Sequence, residues 1–95
     1  MGSKFVSVQC NIKRGAFSGE RVFVIKLANG EKYRSLASVS HCLNEKGNVL
    51  APNEPAPEVT ITGRVKSIQI KKEQANFVVE VPDGQLVMVS KDALQ

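Results

Sequence analysis

The chain of 95 residues has no tryptophan, one tyrosine, one histidine and two cysteines. Each scarcity removes a class of explanation. Two cysteines, Cys10 and Cys42, are too few for a disulfide-rich scaffold. They read as buried free thiols in a reducing compartment, with one disulfide between them as the alternative. A structural zinc ion takes four ligands. His41, Cys42 and Cys10 are the only soft donors and no CxxC or HxxxH spacing occurs, so neither a metal nor a cofactor is expected. In a strand His41 and Cys42 point to opposite faces, which excludes a nucleophile–base pair there.

Long apolar runs are also missing. The longest are Val22 to Ile25 and Leu86 to Val89, whereas a membrane helix needs about 20 residues. Behind Met1, Gly2, Ser3 and Lys4 no apolar stretch of the secretory-signal type follows. The expectation is a cytoplasmic protein without membrane association. Glu20, Glu45, Asp83 and Asp92 stand as single charges, so no carboxylate pair for acid–base work is visible. Gly15-Ala16-Phe17-Ser18-Gly19 has neither the lysine nor the spacing of a phosphate-binding loop. No enzyme is expected.

Thirteen Lys and Arg against nine Asp and Glu leave a net charge of +4, a mild bias toward polyanions. Adjacent basic residues occur only at Lys13-Arg14 and Lys71-Lys72. A dedicated nucleic-acid domain gathers such residues on one face; here the sequence disperses them.

What is present is β-patterning. Val6, Val8, Cys10 and Ile12 alternate with polar residues, the mark of a half-buried strand. Residues 13–20 read as a loop, Arg21 to Leu27 and Glu31 to Leu36 as the next strands. Residues 37–50 read either as a short strand at 39–43 followed by a turn at 45–48, or as holding one helical turn. Three prolines, Pro52, Pro55 and Pro57, make the following segment extended and unpaired. The chain thus reads as one domain, 1–95, with a first β half at 1–50, a proline-rich connection at 51–58 and a second β half at 59–95. In that second half Val59 to Thr62 alternate, and Gly63 reads as a bulge or sharp bend. A polar turn at 71–76 leads to strands at 77–81 and 85–89, and Ser90 caps a closing helical turn at 90–94.

Turn chemistry fixes two registers. Pro82 and Asp83 suit the central positions of a type I turn, and Gly84 the left-handed position after it. The resulting three-residue loop sets Val79 opposite Val87 and Phe77 opposite Val89. The same loop at Ala28-Asn29-Gly30 sets Tyr33 opposite Ile25, whereas a two-residue loop would put Arg34 there. The two hairpins match at a spacing of 54 residues, and Val6, Val8, Cys10 and Ile12 lie over Val59, Ile61, Gly63 and Val65 at a spacing of 53. Duplication and shared hairpin physics both account for this.

From Val59 onward the chain resembles the C-terminal part of an SH3-like small barrel. The strand interrupted at Gly63, the Pro82-Asp83-Gly84 hairpin and the closing turn carry the likeness. It implies geometry alone, because the aromatic groove that binds polyproline has no counterpart. The expected fold is all-β: a small barrel or two-sheet sandwich of six to seven mostly antiparallel strands, SH3-like in its second half.

The expected function is a protein-interaction module or accessory subunit, monomeric or homodimeric. It would use a sheet edge or the loops around Phe17 and Lys46, the candidate partner-binding residues, since function concentrates on loops. The alternative is low-specificity nucleic-acid binding through Lys26, Lys32, Arg34, Lys66, Lys71 and Lys72. That reading is weakened if Tyr33 packs inward beside Ile25.

Overall fold

The computed structural model describes residues 3–95. Seven strands form one antiparallel sheet that curls into a half-barrel, which settles the choice between barrel and sandwich. They are β1 (Lys4–Arg14), β2 (Glu20–Lys26), β3 (Lys32–Ser38), β4 (Cys42–Leu43), β5 (Ile61–Glu73), β6 (Asn76–Glu80) and β7 (Leu86–Ser90). Their order across the sheet is β3-β2-β1-β5-β6-β7, with β4 also paired to β5. Among the described residues no helix is long and apolar enough to cross a membrane.

Alternation along the strands decides the core. Val8, Cys10 and Ile12 of β1 meet Phe23 and Ile25 of β2, Val65 of β5, and Val79, Val81, Val87 and Val89 of the second hairpin. Burial of each larger side chain is worth about 1.5–3 kcal/mol against exposure. Both hairpins close as three-residue loops. The Leu27 N–H donates to Glu31 O and the Gly30 N–H to Leu27 O; the Val81 N–H donates to Gln85 O and the Gly84 N–H to Val81 O. Gly30 and Gly84 each have φ near +90°, which a side chain would strain. The resulting pairs include Ile25 with Tyr33, Val79 with Val87 and Phe77 with Val89.

The sheet is two three-stranded meanders joined along β1 and β5, which pair from Lys4 with Gln69 to Ile12 with Ile61. Each hairpin tip docks on the last strand of the other meander. The Ala28 N–H donates to Met88 O, and Asp83 accepts hydrogen bonds from Tyr33 and Ser35. The hairpins correspond at 54 residues, but their first strands do not correspond at 53. Val24 pairs with Asn11 and its counterpart Val78 with Lys71, so β1 and β5 are offset by 60. Eight residues separate the paired Lys13 and Val22, against two between the paired Glu73 and Asn76, and that difference of six turns the spacing of 54 into 60.

Several boundaries differ from the sequence reading. β1 continues through Lys13 and Arg14, and β5 runs to Glu73, so only 15–19 and 74–75 are loops. Residues 37–50 combine both alternatives: a 3-10 turn at Val39–His41, the short β4, then a turn in which the Asn44 N–H donates to Asn48 O. Gly63 is not a bulge. It pairs with Cys10 inside a continuous β5, and a Cβ there would lie 2.4 Å from Leu43 O and 2.8 Å from Ile12 Cδ1. The glycine is needed because β4 crosses so close; the bulge falls at Ile70 instead. Ser90 stands at the N-cap of the 3-10 turn Lys91–Ala93, but its side chain makes no capping bond.

The proline-rich connection is neither extended nor unpaired. It turns at Ala51–Glu54 and Ala56–Val59, with a cis Glu54–Pro55 peptide, and two arginines bind its carbonyls. Arg14 donates to Asn53 O and Pro55 O. Arg21, fully buried, donates to Pro52 O and Glu54 O as well as to Ser18 O and Glu20 O. Both arginines continue the inward-facing alternation of their strands, after Ile12 and before Phe23. The strap therefore lies over the inward face at that end of the half-barrel, and its own Pro55 is buried.

Candidate functional site

Phe17 occupies the loop between β1 and β2 and is 74% exposed. The loop is held from both sides: the Gly15 N–H donates to Glu20 O, the Glu20 N–H to Phe17 O, and the Ala16 N–H to the Glu20 carboxylate. Beyond β2, the Val39 N–H donates to Gly19 O and ties the loop to the end of β3. Inward placement of Tyr33, Ser35 and Ala37 turns Leu36 outward, and it is 48% exposed. Phe17 and Leu36, with Gly19, Glu20, Ala37 and Ser38, line one shallow concavity of about 400 Å³. Two large apolar side chains, one of them on a loop, thus share one concavity.

β3 itself is an end strand of the sheet. The bonded pair Leu27–Glu31 puts the next bonded pairs at Ile25–Tyr33, Phe23–Ser35 and Arg21–Ala37, since bonded and non-bonded pairs alternate in an antiparallel ladder. The N–H and C=O groups of Lys32, Arg34 and Leu36 accordingly point away from β2, and their side chains lie on the outer face. Lys26 stands directly opposite Lys32 on that face.

Lys46, the other expected partner residue, sits in a separate turn shaped by Asn44, whose side chain accepts from the Lys46 and Asn48 N–H groups. It does not share the concavity of Phe17. The six basic residues divide. Lys26, Lys32 and Arg34 share the outer face of the first hairpin, while Lys66 is on β5, with β1 and β2 between it and β3. Lys71 pairs with Glu73 at 2.8 Å, and Lys72 lies 5.9 Å over the Phe77 ring. Tyr33 packs inward, its ring 6.4 Å from that of Phe23. Its hydroxyl donates to Asp83, and that bond raises the phenol pKa. Partial burial pushes the Asp83 carboxyl up, but bonds from Ser35, Tyr33 and the Gln85 N–H outweigh it and hold the pKa below the ordinary value.

A cavity of about 630 Å³ opens where β1 and β2 diverge beyond Asn11 and Val24, and Lys26, Asn29, Ser90 and Asp92 are among its lining. Cys10 also borders it. Burial first, and the neighbouring Cys42 second, push the Cys10 thiol up to about 12; burial pushes Cys42 up to about 11. Both are free thiols and stay protonated at neutral pH, which makes them poor nucleophiles. Among the described residues no group of three or more His, Cys, Asp or Glu side chains converges.

Leu36 was readable: once the hairpin register turns Tyr33 inward, Leu36 must face out. The free edge of β3 was not, because strand order is not written in a local pattern. Comparison with protein families, curated proteins and solved structures finds no match for this chain.

Proposed function

We propose that the protein is a non-enzymatic interaction module, or an accessory subunit, that recognises a protein partner through Phe17 and Leu36. The observation that carries this is their shared exposure on one concavity beside an end strand. A buried aromatic anchor is the usual centre of such recognition, and water would leave this apolar pair on binding. Protonated, buried thiols support a reducing, cytoplasmic setting. The SH3-like likeness of residues 59–95 supports a small-barrel scaffold of the kind used for binding, with no polyproline groove implied.

Photo-crosslinking from position 17 or 36 in cells identifies the partner, and affinity is then measured with purified components. Phe17→Ser and Leu36→Ser are each expected to weaken binding about tenfold or more, with Lys46→Ala neutral and melting temperatures within about 2 °C. Unchanged affinity in both apolar variants would overturn the proposal.

The outer-face trio Lys26, Lys32 and Arg34 favours nucleic-acid binding as a second reading. That reading requires affinity for single-stranded RNA or DNA that falls steeply as salt rises. Tyr33, the aromatic residue of β3, is turned inward and offers bases no stacking face beside the trio, and weak binding, lost at physiological salt, is expected.

A further inference from the structure

Six main-chain groups, the N–H and C=O of Lys32, Arg34 and Leu36, point outward from the end strand β3, and among the described residues no backbone hydrogen bond outside the ladders engages them. The opposite end of the sheet is partly tied, since Met88 O accepts from the Ala28 N–H. A free edge of this kind is a template for one more strand. We propose that β3 takes up an extended acidic segment of the partner as an added antiparallel strand, with the pattern apolar–x–acidic–x–acidic. This rests on the Phe17–Leu36 reading above.

Charge selects the occupant. Lys26 and Lys32 face each other across the β2–β3 ladder, Arg34 follows on the same face, and among the described residues the one ion pair lies elsewhere, at Lys71–Glu73. Like charges directly opposite destabilise a sheet, and an opposite charge on the next strand offsets them. A second copy of this chain is disfavoured for the same reason, because two β3 edges paired about Arg34 would oppose the two guanidinium groups. Acidic residues opposite Lys32 and Arg34 remove the conflict.

The far end of the edge differs. There Phe17 and Leu36 form an apolar seat, and Glu20 lines it, so an acidic residue is repelled and an apolar one is accommodated. Antiparallel pairing, as throughout this sheet, puts the apolar residue opposite Leu36 and the acids two and four positions later. The intervening residues face the side of Tyr33 and Ser35, where Asp83 already accepts both hydroxyls; small neutral side chains suit that side.

The test is fluorescence anisotropy with a labelled peptide built on Leu-Thr-Glu-Thr-Glu. Binding is expected at low and moderate salt. N-methylation of the two glutamates, whose amides face β3, is expected to weaken it about tenfold or more, whereas N-methylation of the two threonines leaves it nearly unchanged. The double variant Lys32→Glu with Arg34→Glu is expected to lose this peptide and to bind the version with lysines in place of the glutamates. If the peptide binds through Phe17 and Leu36 but ignores which amides are methylated, the added strand is wrong and the apolar surface stands. If neither peptide binds and Phe17→Ser leaves the crosslinked partner's affinity unchanged, both fall. A single-stranded RNA that displaces the peptide from Arg34 and Leu36 with higher affinity also overturns the proposal.

Discussion

Replacing Arg21 should be the most damaging single change to this fold. Its guanidinium is fully buried and donates to four carbonyls, at 2.8 Å to Ser18, Glu20 and Glu54 and at 2.9 Å to Pro52. A bond involving a charged group contributes about 1.5–3 kcal/mol. Four do not add fully, because they share one guanidinium and the released strap regains water. About 3–5 kcal/mol is expected for Arg21→Ala, comparable to removing one partner of a buried ion pair. Arg14 is half-buried and serves two strap carbonyls, so Arg14→Ala should cost about 1–2 kcal/mol. Arg21→Met separates packing from bonding: it keeps an apolar stem of similar length yet should still lose about 2–3 kcal/mol. Urea unfolding, fitted to two states with the slope compared among variants, measures each loss. Limited proteolysis between Ala51 and Val59 should accelerate in the Arg21 variants. A loss below about 1 kcal/mol for Arg21→Ala, or a larger loss for Arg14→Ala, would refute the account of the strap.

Gly63→Ala should destabilise by about 1–3 kcal/mol by forcing β4 away from β5, read by urea unfolding; a neutral result would contradict the close approach of Leu43. The depressed pKa of Asp83 contributes stability that is present above the unfolded value near 4 and lost as pH falls through the folded value. Tyr33→Phe should flatten the acid limb of a stability–pH curve, and an unaltered limb would count against the Tyr33–Asp83 link. Cys10 and Cys42 have raised pKa values, so their contribution is complete below about pH 9 and is lost as pH rises toward the folded values. At neutral pH a thiol reagent should label neither cysteine faster than the protein unfolds; rapid labelling of the native protein would contradict their burial.

The two hairpins were legible because Pro82, Asp83, Gly84, Asn29 and Gly30 each have a local conformational reason to be where they are. Register followed, and with it the inward position of Tyr33 and the outward one of Leu36. Gly63 was misread because a glycine inside a strand signals either a bulge or a close neighbour, and only the path of β4 decides which. The strap was misread because proline describes its own φ and missing N–H but not the donors that reach its carbonyls. Arg21 belongs to the inward alternation of Phe23 and Ile25, and four carbonyls from 18, 20, 52 and 54 make that buried position suitable for its charge. Phe17 was singled out from its loop alone. Its partnership with Leu36 and the open edge of β3 depend on the curl of the whole sheet, which pairs residues far apart in sequence.

The claim that β3 carries a free, receptive edge is tested most directly by residue-resolved amide exchange in the protein with and without the acidic peptide. In the free protein, Tyr33, Ser35 and Ala37 should exchange slowly and Lys32, Arg34 and Leu36 quickly. With the peptide bound, Arg34 and Leu36 should become protected while the first three stay as they were. Equal protection along β3 in the free protein, or no gain at Arg34 and Leu36 when peptide is bound, would contradict the account.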